Sequence, residues 1–290
     1  MTFIKKIKTK IEKVIHTKIT EFSSLSGGCI SNAYKVTAEN GKSFFLKTNT
    51  SHPGDMFIKE AHGLEELTKA NAIRIPQVIS YENDFILLEL IESGNRQKYF
   101  SEDFGRRFAE LHRFNSSEYG FFEDNYIGSN PQINIPTDEE KNNWTQFFFN
   151  KRILYQLSLA EKLGNATPEL RKVISLLENK IDEIVTDNGE QPSLLHGDLW
   201  GGNYMIDENG NACLIDPAVY YGNREADLAM TKLFGGFDSK FYAAYNEAFP
   251  LPDGYSYREN IYKLYHILNH LNLFGGGYYS QAMSLIRYYI

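Results

Sequence analysis

The chain has 290 residues, of which 42% are hydrophobic and 23% are charged, a composition typical of a folded protein with a sizeable core. Its 30 lysine and arginine residues against 37 acidic residues give a net charge of −7, which argues against a nucleic-acid-binding protein. Its 2 cysteines cannot form a disulfide framework, and no apolar run reaches the roughly 20 residues of a membrane-spanning helix. We therefore expect a soluble, cytoplasmic protein that does not bind membranes.

An amphipathic helix is predicted over residues 3–15, where apolar residues recur at helical spacing among several lysines. A basic amphipathic segment can also be a targeting peptide or a membrane-surface helix. This one has no unbroken apolar stretch, no arginine and no small-residue cleavage site. The pattern favours a surface helix of the folded protein with a solvated lysine face.

Residues 20–91 are predicted to form a small antiparallel sheet with one helix. Two β-rich halves of the segment 32–49 flank Asn40-Gly41, a dipeptide typical of hairpin turns. A helix is expected over 55–70, and an apolar strand pair is expected over 77–91. Residues 1–91 are therefore predicted to be an N-terminal, nucleotide-binding lobe.

From residue 92 onward, the chain is predicted to be mainly helical. Helical periodicity runs over residues 101–114, 138–163, 168–185, 224–234, 239–249, 257–273 and 278–290. One strand pair, over 203–216, interrupts the helices. The prediction is an α+β fold of two lobes, 1–91 and 92–290, with a ligand in the cleft between unlike halves.

The polar residues with the clearest chemistry follow residue 195. If Asn209-Gly210 is a two-residue hairpin turn, residues whose numbers add to 419 face each other, which places Asn203 beside Asp216. An amide oxygen and a carboxylate at these positions are suitable ligands for Mg²⁺. Asp198 lies on the loop that leads into the same hairpin, where its carboxylate can accept a proton from an incoming hydroxyl. The Asp-x₄-Asn…Asp order is that of the protein-kinase catalytic and metal loops. On its own, the pattern also fits a surface hairpin with incidental acids.

Other parts of a kinase site occur upstream in the expected order. Gly27 and Gly28 lie in a short loop at 26–31, and Lys47 ends the strand after that loop. Glu60 follows in the next helix, where it can pair with Lys47. Each feature alone is common in ordinary turns, strands and helices. Their order together indicates an ATP-binding phosphotransferase.

The chain resembles the fructosamine (ketosamine) kinases, relatives of aminoglycoside phosphotransferases with a protein-kinase-like fold. The resemblance covers about residues 20–290 and rests mainly on Leu195–Asn203, Asp216–Ala229 and Phe57–Leu67. Shorter matching stretches lie at 119–128, 144–148 and 230–237. The loop His196-Gly197-Asp198-Leu199-Trp200 is far more specific to this family than the bare kinase pattern. Asp-Pro-Ala at 216–218 agrees with the family and departs from the Asp-Phe-Gly of protein kinases.

The resemblance implies roles for four residues of the predicted helical lobe and for one that braces its catalytic loop. Asp198 is the proton acceptor, while Asn203 and Asp216 hold the metal. Asp227 matches an acid that braces the catalytic loop by accepting backbone hydrogen bonds. For His196 the alternatives are an anchor of the same loop and a general base, and the anchor is favoured because Asp198 is better placed to be the base. Neither Asp227 nor His196 is expected to be catalytic.

The resemblance also implies how the nucleotide binds. Lys47 contacts the α- and β-phosphates of ATP and pairs with Glu60. The backbone of Glu89, Leu90 and Ile91 supplies hydrogen bonds to adenine.

Two residues have alternative interpretations. Trp200 either presents its indole face to a sugar or packs between the loop and a helix, and the resemblance favours the substrate wall. Cys29 is either a small loop residue or, as in some relatives, a redox-active cysteine through which the protein forms a homodimer.

The resemblance implies transfer of the γ-phosphoryl of ATP to the 3-hydroxyl of a ketosamine, either free or on a glycated lysine of a protein. The product is expected to shed its sugar and release the amine, which makes the activity a deglycation. The alternatives are another small-molecule phosphotransferase, for aminoglycosides or choline, and an inactive ATP-binding interaction module. An inactive module is expected to lack Lys47, Asp198, Asn203 or Asp216, and all four are present.

Overall fold

The chain divides into two compact units in a computed structural model that describes residues 3–25, 32–49, 54–185 and 189–290. The first unit is Met1–Phe100 with Met205–Asp216, and the second is Ser101–Tyr204 with Pro217–Ile290. The predicted boundary at 91/92 and the assignment of the hairpin to the helical lobe differ from this division. The reason is that Gly94 N donates to Ile206 O and Gln97 N donates to Gly210 O. These bonds attach the segment after residue 91 to the strand pair predicted over 203–216.

The first unit contains an antiparallel sheet and two helices. Its strands are β1 (Ile19–Leu25), β2 (Asn32–Ala38), β3 (Ser43–Thr48), β4 (Val78–Glu82) and β5 (Phe85–Glu89), and its helices are α1 (Phe3–Ile15) and α2 (Met56–Lys69). The strand order is β1-β2-β3-β5-β4. The predicted turn at Asn40-Gly41 joins β2 to β3, and Gly41 takes the left-handed φ of 81° that such a turn requires.

The two helices of the first unit pack on opposite faces of the sheet. Ile7 and Ile11 of α1 pack with Leu87, whereas α2 packs on Ile86 and Leu88. Alternation along β5 explains the division, since successive strand residues point to opposite faces. α1 is therefore part of this unit's core.

The lysine face of α1 is only partly solvated. Lys10 Nζ lies 2.8 Å from Glu82 and 3.0 Å from Asp84, and Lys8 Nζ donates to the carbonyl of Ile19. These contacts add to the apolar packing of the helix on the sheet.

The second unit is mainly helical, and the predicted α+β class is confirmed. Its helices are α3 (Phe100–His112), α4 (Trp144–Phe148), α5 (Tyr155–Lys162), α6 (Pro168–Glu178), α7 (Ile181–Ile184), α8 (Glu225–Thr231), α9 (Ser239–Ala248), α10 (Tyr255–Phe274) and α11 (Tyr278–Arg287). The short strands beyond residue 100 are β6 (Asn125–Ile127), β7 (Asn130–Gln132), β8 (Ser193–Leu195), β9 (Tyr204–Ile206), β10 (Ala212–Leu214) and β11 (Tyr220–Gly222). They pair as β6 with β7, β8 with β11, and β9 with β10. Within the described ranges, no helix is both long and apolar enough to cross a bilayer.

Residues 138–163 do not form the single helix predicted for them. A 3₁₀ turn at Glu140–Asn142 ends at Asn143, whose side chain caps α4 by accepting a hydrogen bond from Gln146 N at 3.0 Å. A π-helical turn, Phe149–Leu154, then separates α4 from α5. The spacing of apolar residues over the whole segment reveals neither a helix cap nor the extra residue of a π-helical turn, so it predicted one continuous helix.

Candidate active site

Lys47 lies between two acidic side chains of the first unit. Its Nζ is 2.8 Å from Glu60 Oε1 and also donates to Asp216 Oδ1. The side chains of Lys47 and Glu60 are each 14% exposed. Burial opposes the charge of the lysine, but the two carboxylates outweigh it and raise the pKa of Lys47 above its usual value. Lys47 is therefore a fixed positive charge at neutral pH.

The register of β3 explains why Lys47 meets Glu60. Lys47 is opposite Ile86 in the neighbouring strand, and Phe45, two residues earlier, packs into the core beneath α2. Because side chains alternate along a strand, Lys47 points to the face that α2 covers. Glu60 lies on α2 next to the buried Ala61, which brings its carboxylate to the lysine.

The hairpin that ends at Asp216 has a turn one residue longer than predicted. Asp207 N donates to Asn211 O, Gly210 N donates to Asp207 O, and Gly210 has a φ of 80°. The carboxylate of Asp207 also accepts hydrogen bonds from Asn209 N and Asn211 N, which stabilises the wider turn. Facing residues therefore add to 418, so the arithmetic that paired position 203 with Asp216 is wrong by one residue.

Asp198 and Asn203 lie together in the loop between β8 and β9, in the second unit. Asn203 Nδ2 donates to the carbonyl of Asp198 at 2.7 Å and to its Oδ2 at 3.1 Å. Asn203 is buried, and Asp198 is half-buried. These bonds fix the orientation of the Asn203 amide and direct its Oδ1 away from Asp198, as a ligand for a hard cation requires.

Asp227 holds the start of this loop from α8. Its Oδ2 accepts a hydrogen bond from His196 N at 2.7 Å, and its Oδ1 accepts one from Gly197 N at 2.8 Å. Burial opposes its charge, but the hydrogen bonds from the His112 ring and from Gly197 N help to outweigh burial and lower the pKa of Asp227. His196 Nδ1 accepts from Asp198 N at 3.3 Å, so this nitrogen carries no proton. This geometry fits structural roles for Asp227 and His196.

No sequence pattern pointed to His112, which supports Asp227 from α3. Its ring is fully buried between the Tyr245 hydroxyl, 2.8 Å from Nδ1, and Asp227 Oδ2, 3.4 Å from Nε2. Burial lowers the pKa of His112, so the ring is neutral at pH 7.

Gly197 is the loop glycine whose replacement is expected to be most damaging. Its φ is 81°, and a Cβ there would overlap the carbonyl oxygen of Ala218. Gly197→Ala should therefore lower the free energy of unfolding by about 3 kcal/mol or more, measured by denaturant titration. Gly201, in the same loop, has open space around its Cβ position, so Gly201→Ala should stay within about 0.5 kcal/mol of wild type. Similar losses in both variants would contradict this explanation.

Trp200 is 39% exposed and begins a row of aromatic rings. Its ring meets Phe234 edge-on at 6.1 Å, and Phe234 in turn lies 4.7 Å from His270. A Cβ on Gly202 would overlap the indole, so this glycine makes room for the ring. Sequence reasoning found Trp200 but not Phe234 or His270, because the first lies in the turn after α8 and the second on α10, both far along the chain.

The predicted adenine-binding backbone lies at the end of β5. Glu89 N donates to Gln77 O at 2.8 Å, so this N–H is engaged within the first unit and does not supply one of the hydrogen bonds predicted for adenine. The Glu89 carboxylate instead accepts from Arg74 Nη2 at 2.7 Å.

Arg74 is another residue that sequence reasoning missed. It also donates to Asp207 at 3.0 Å and to Glu208 at 2.7 Å, which ties β5 to the hairpin of the same unit. The predicted loop residues Gly27, Gly28 and Cys29 lie outside the described residues.

Comparison with known proteins identifies the family, because residues 3–290 match the family model described as fructosamine kinase. The chain belongs to the fructosamine kinase family. It is 39% identical over 277 residues to a probable ketoamine kinase of Synechocystis sp., covering 93% of this chain and 90% of that protein. It is 40% identical over 284 residues to the chloroplastic protein-ribulosamine 3-kinase of Arabidopsis thaliana, covering 94% of this chain and 84% of the relative. The predicted family resemblance is confirmed.

Solved structures agree with the family assignment. A Thermobifida fusca protein that carries a provisional fructosamine-3-kinase name superposes with a TM-score of 0.88 at 28% identity, covering 97% of each chain. An aminoglycoside phosphotransferase in complex with gentamicin gives a TM-score of 0.63 at 17% identity and shares the fold alone. The predicted kinase-like fold is confirmed, and membership in this family makes the protein an ATP-dependent phosphotransferase that acts on a sugar hydroxyl.

Proposed function

We propose that this kinase transfers the γ-phosphoryl of ATP to the 3-hydroxyl of a ketosamine. The observation that carries the proposal is the pairing of Asp198 with Asn203 in a loop that has the family's characteristic sequence. The name of the Arabidopsis relative supports a sugar–amine adduct as the acceptor and its 3-hydroxyl as the reacting group.

Asp198 is assigned to the acceptor hydroxyl. Its half-buried carboxylate is oriented by Asn203, and its loop is fixed through His196 and Gly197 to Asp227. A carboxylate held in this way can orient the hydroxyl and accept its proton as the phosphoryl group is transferred.

Lys47 is assigned to the α- and β-phosphates of ATP. Its charge is maintained by Glu60 and Asp216, so it can neutralise phosphate charge without a change of protonation. Adenine is assigned to the backbone of residues 89–91.

Mg²⁺ is assigned to Asn203 and Asp216. Their amide and carboxylate oxygens are the donor types that Mg²⁺ takes alongside nucleotide phosphates and water. In the second unit, the amide of Asn203 is fixed by its bonds to Asp198, and in the first unit the side chain of Asp216 is 46% exposed, so each residue by itself suits the role of a metal ligand. When bound, the ion would supply further charge neutralisation to the phosphates.

The substrate class follows from the same assignment. A phosphorylated ketosamine that sheds its sugar would release a free amine, so the activity would reverse glycation on small amines or on lysines of proteins. The family is the basis for this step. We place the activity in the cytoplasm.

ATP turnover against a panel of acceptors tests the proposed function. Ribulose-, erythrulose- and fructose-derived ketosamines should be phosphorylated at least about 100-fold more efficiently, by kcat/KM, than aminoglycosides or choline, because a site that forms hydrogen bonds with one acceptor discriminates against acceptors that cannot form them. Equal or better turnover of aminoglycosides or choline would favour the alternative small-molecule kinase. Nucleotide binding without turnover of any acceptor would favour the inactive module.

Trp200 is predicted to contact the sugar–amine substrate and not ATP. Trp200→Ala should raise the KM for the ketosamine about tenfold while leaving the KM for ATP unchanged, since an aromatic contact is worth about 0.5–1.5 kcal/mol. Phe122→Ala is the matched control, because Phe122 is also an aromatic residue of the second unit and is 66% exposed. An unchanged ketosamine KM in Trp200→Ala, measured beside Phe122→Ala, would assign the indole to packing alone.

A further inference from the structure

The β6–β7 hairpin presents two buried amides to the 217–219 segment. Asn125 and Gln132 are partners in the register of the hairpin, and they are 5% and 1% exposed. Asn125 Nδ2 donates to the carbonyl of Val219 at 2.8 Å, and Gln132 Nε2 donates to the carbonyl of Ala218 at 2.9 Å. Each amide therefore holds one carbonyl of the segment.

The 217–219 segment needs such partners because Ala218 and Val219 are buried but belong to no helix or strand. A buried carbonyl outside regular structure destabilises the fold unless a donor reaches it. On its other edge, Ala218 N donates to His196 O at 2.9 Å, in the catalytic loop. The segment is therefore bound to the catalytic loop through the N–H of Ala218 and to the β6–β7 hairpin through its two carbonyls.

The orientation of both amides is fixed by their neighbours. Gln132 Nε2 also donates to Asn125 Oδ1 at 2.8 Å, and Gln132 Oε1 accepts from the Tyr265 hydroxyl at 2.7 Å. Asn125 Oδ1 accepts a second bond, from Asn134 Nδ2 at 2.8 Å, and Asn134 Oδ1 accepts from the buried Arg152 at 2.7 Å. Since the amide oxygens are occupied in this way, the amide nitrogens must face the carbonyls of the segment.

We propose that Asn125 and Gln132 are positioning residues for phosphoryl transfer. By fixing the 217–219 segment, they hold in place the residues that directly follow Asp216, whose carboxylate is assigned to Mg²⁺. The inference rests on the proposed function for the role of Asp216, whereas the hydrogen bonds themselves belong to the free protein. The proposal also assigns a role to Asn125 in the 125–128 stretch, which resembles the family but had no role assigned to it above.

Gln132→Met tests the proposal with Gln156→Met as its matched control. Both residues are fully buried glutamines of the second unit, but Gln156 bonds to Asn269 and Asn272 of α10. Hydrogen–deuterium exchange over residues 214–222 of the ligand-free protein should rise about tenfold in Gln132→Met and stay at the wild-type level in Gln156→Met. The Mg²⁺ concentration for half-maximal ATP turnover should rise about tenfold in Gln132→Met alone.

The two readouts together decide the outcome. Faster exchange and a raised Mg²⁺ requirement confined to Gln132→Met support the proposal. Equal exchange in both variants, or faster exchange with an unchanged Mg²⁺ titration, overturns it. If a methionine variant does not fold, Asn125→Ser and Asn272→Ser replace the pair under the same criteria. Failure of the proposed function would appear separately, as a wild-type protein that does not phosphorylate ketosamines.

Discussion

Asp198→Ala is expected to lower kcat about 10²- to 10⁴-fold, the usual contribution of a positioned acid or base. The carboxylate accepts the proton of the acceptor hydroxyl, and alanine can neither orient that hydroxyl nor take its proton. Lys47 and its two acidic partners are in the first unit and are unchanged, so ATP affinity should be retained. Steady-state kinetics with a ketosamine and calorimetric titration with ATP measure the two quantities separately.

Asp138→Ala is the matched control for the loss of an acidic side chain. The Asp138 side chain is 98% exposed and pairs only at the surface with Lys141 in the same unit. This control should turn over at the wild-type rate. A kcat of Asp198→Ala within threefold of the control, on the order of 0.7 kcal/mol in activation free energy, would remove Asp198 from its assigned role.

Asn203→Ala and Asp216→Ala are expected to raise the Mg²⁺ concentration for half-maximal turnover at least tenfold, because each removes one of the oxygen ligands assigned to the ion. Asp216→Ala should also weaken ATP binding, since the ion assigned to Asp216 would help to neutralise the charge of the phosphates. A Mg²⁺ titration at saturating ATP, with thermal unfolding recorded in parallel, separates metal binding from stability.

Asn209→Ala is the matched control for the amide. Asn209 is exposed in the turn between β9 and β10, and we assign it no ligand. Its Mg²⁺ titration should overlay that of wild type. Unchanged titrations in both Asn203→Ala and Asp216→Ala would defeat the assignment of the metal to these residues.

Local patterns in the sequence were enough to predict much of the first unit. The Asn40-Gly41 dipeptide gave the β2–β3 turn, because only a few residues tolerate the left-handed backbone of such a turn. Lys47 and Glu60 were predicted to pair from their order on a strand and the next helix, and they lie 2.8 Å apart. Strand alternation and helix periodicity are both local patterns, so they can be recognised in a single sequence.

Tertiary interactions decided what the sequence did not reveal. The Asn-Gly turn at 209–210 has three loop residues, as does the turn at 40–41, where Ala38 N donates to Lys42 O and Gly41 N donates to Ala38 O. The dipeptide therefore located both turns, but their length was wrong by one residue. The buried amides Asn125 and Gln132 lie in three-residue strands, which are too short for alternation to show that polar side chains face inward.

The position of the phosphate on the product is the most direct test of the central claim. Wild-type protein, ATP and a ketosamine would be incubated briefly, and phosphorus–proton correlation NMR would assign the phosphorylated carbon. We predict phosphate on the 3-hydroxyl in the wild type and loss of that signal in Asp198→Ala at equal protein concentration. Phosphate on any other hydroxyl, or an undiminished 3-phosphate signal in Asp198→Ala, would contradict the assignment.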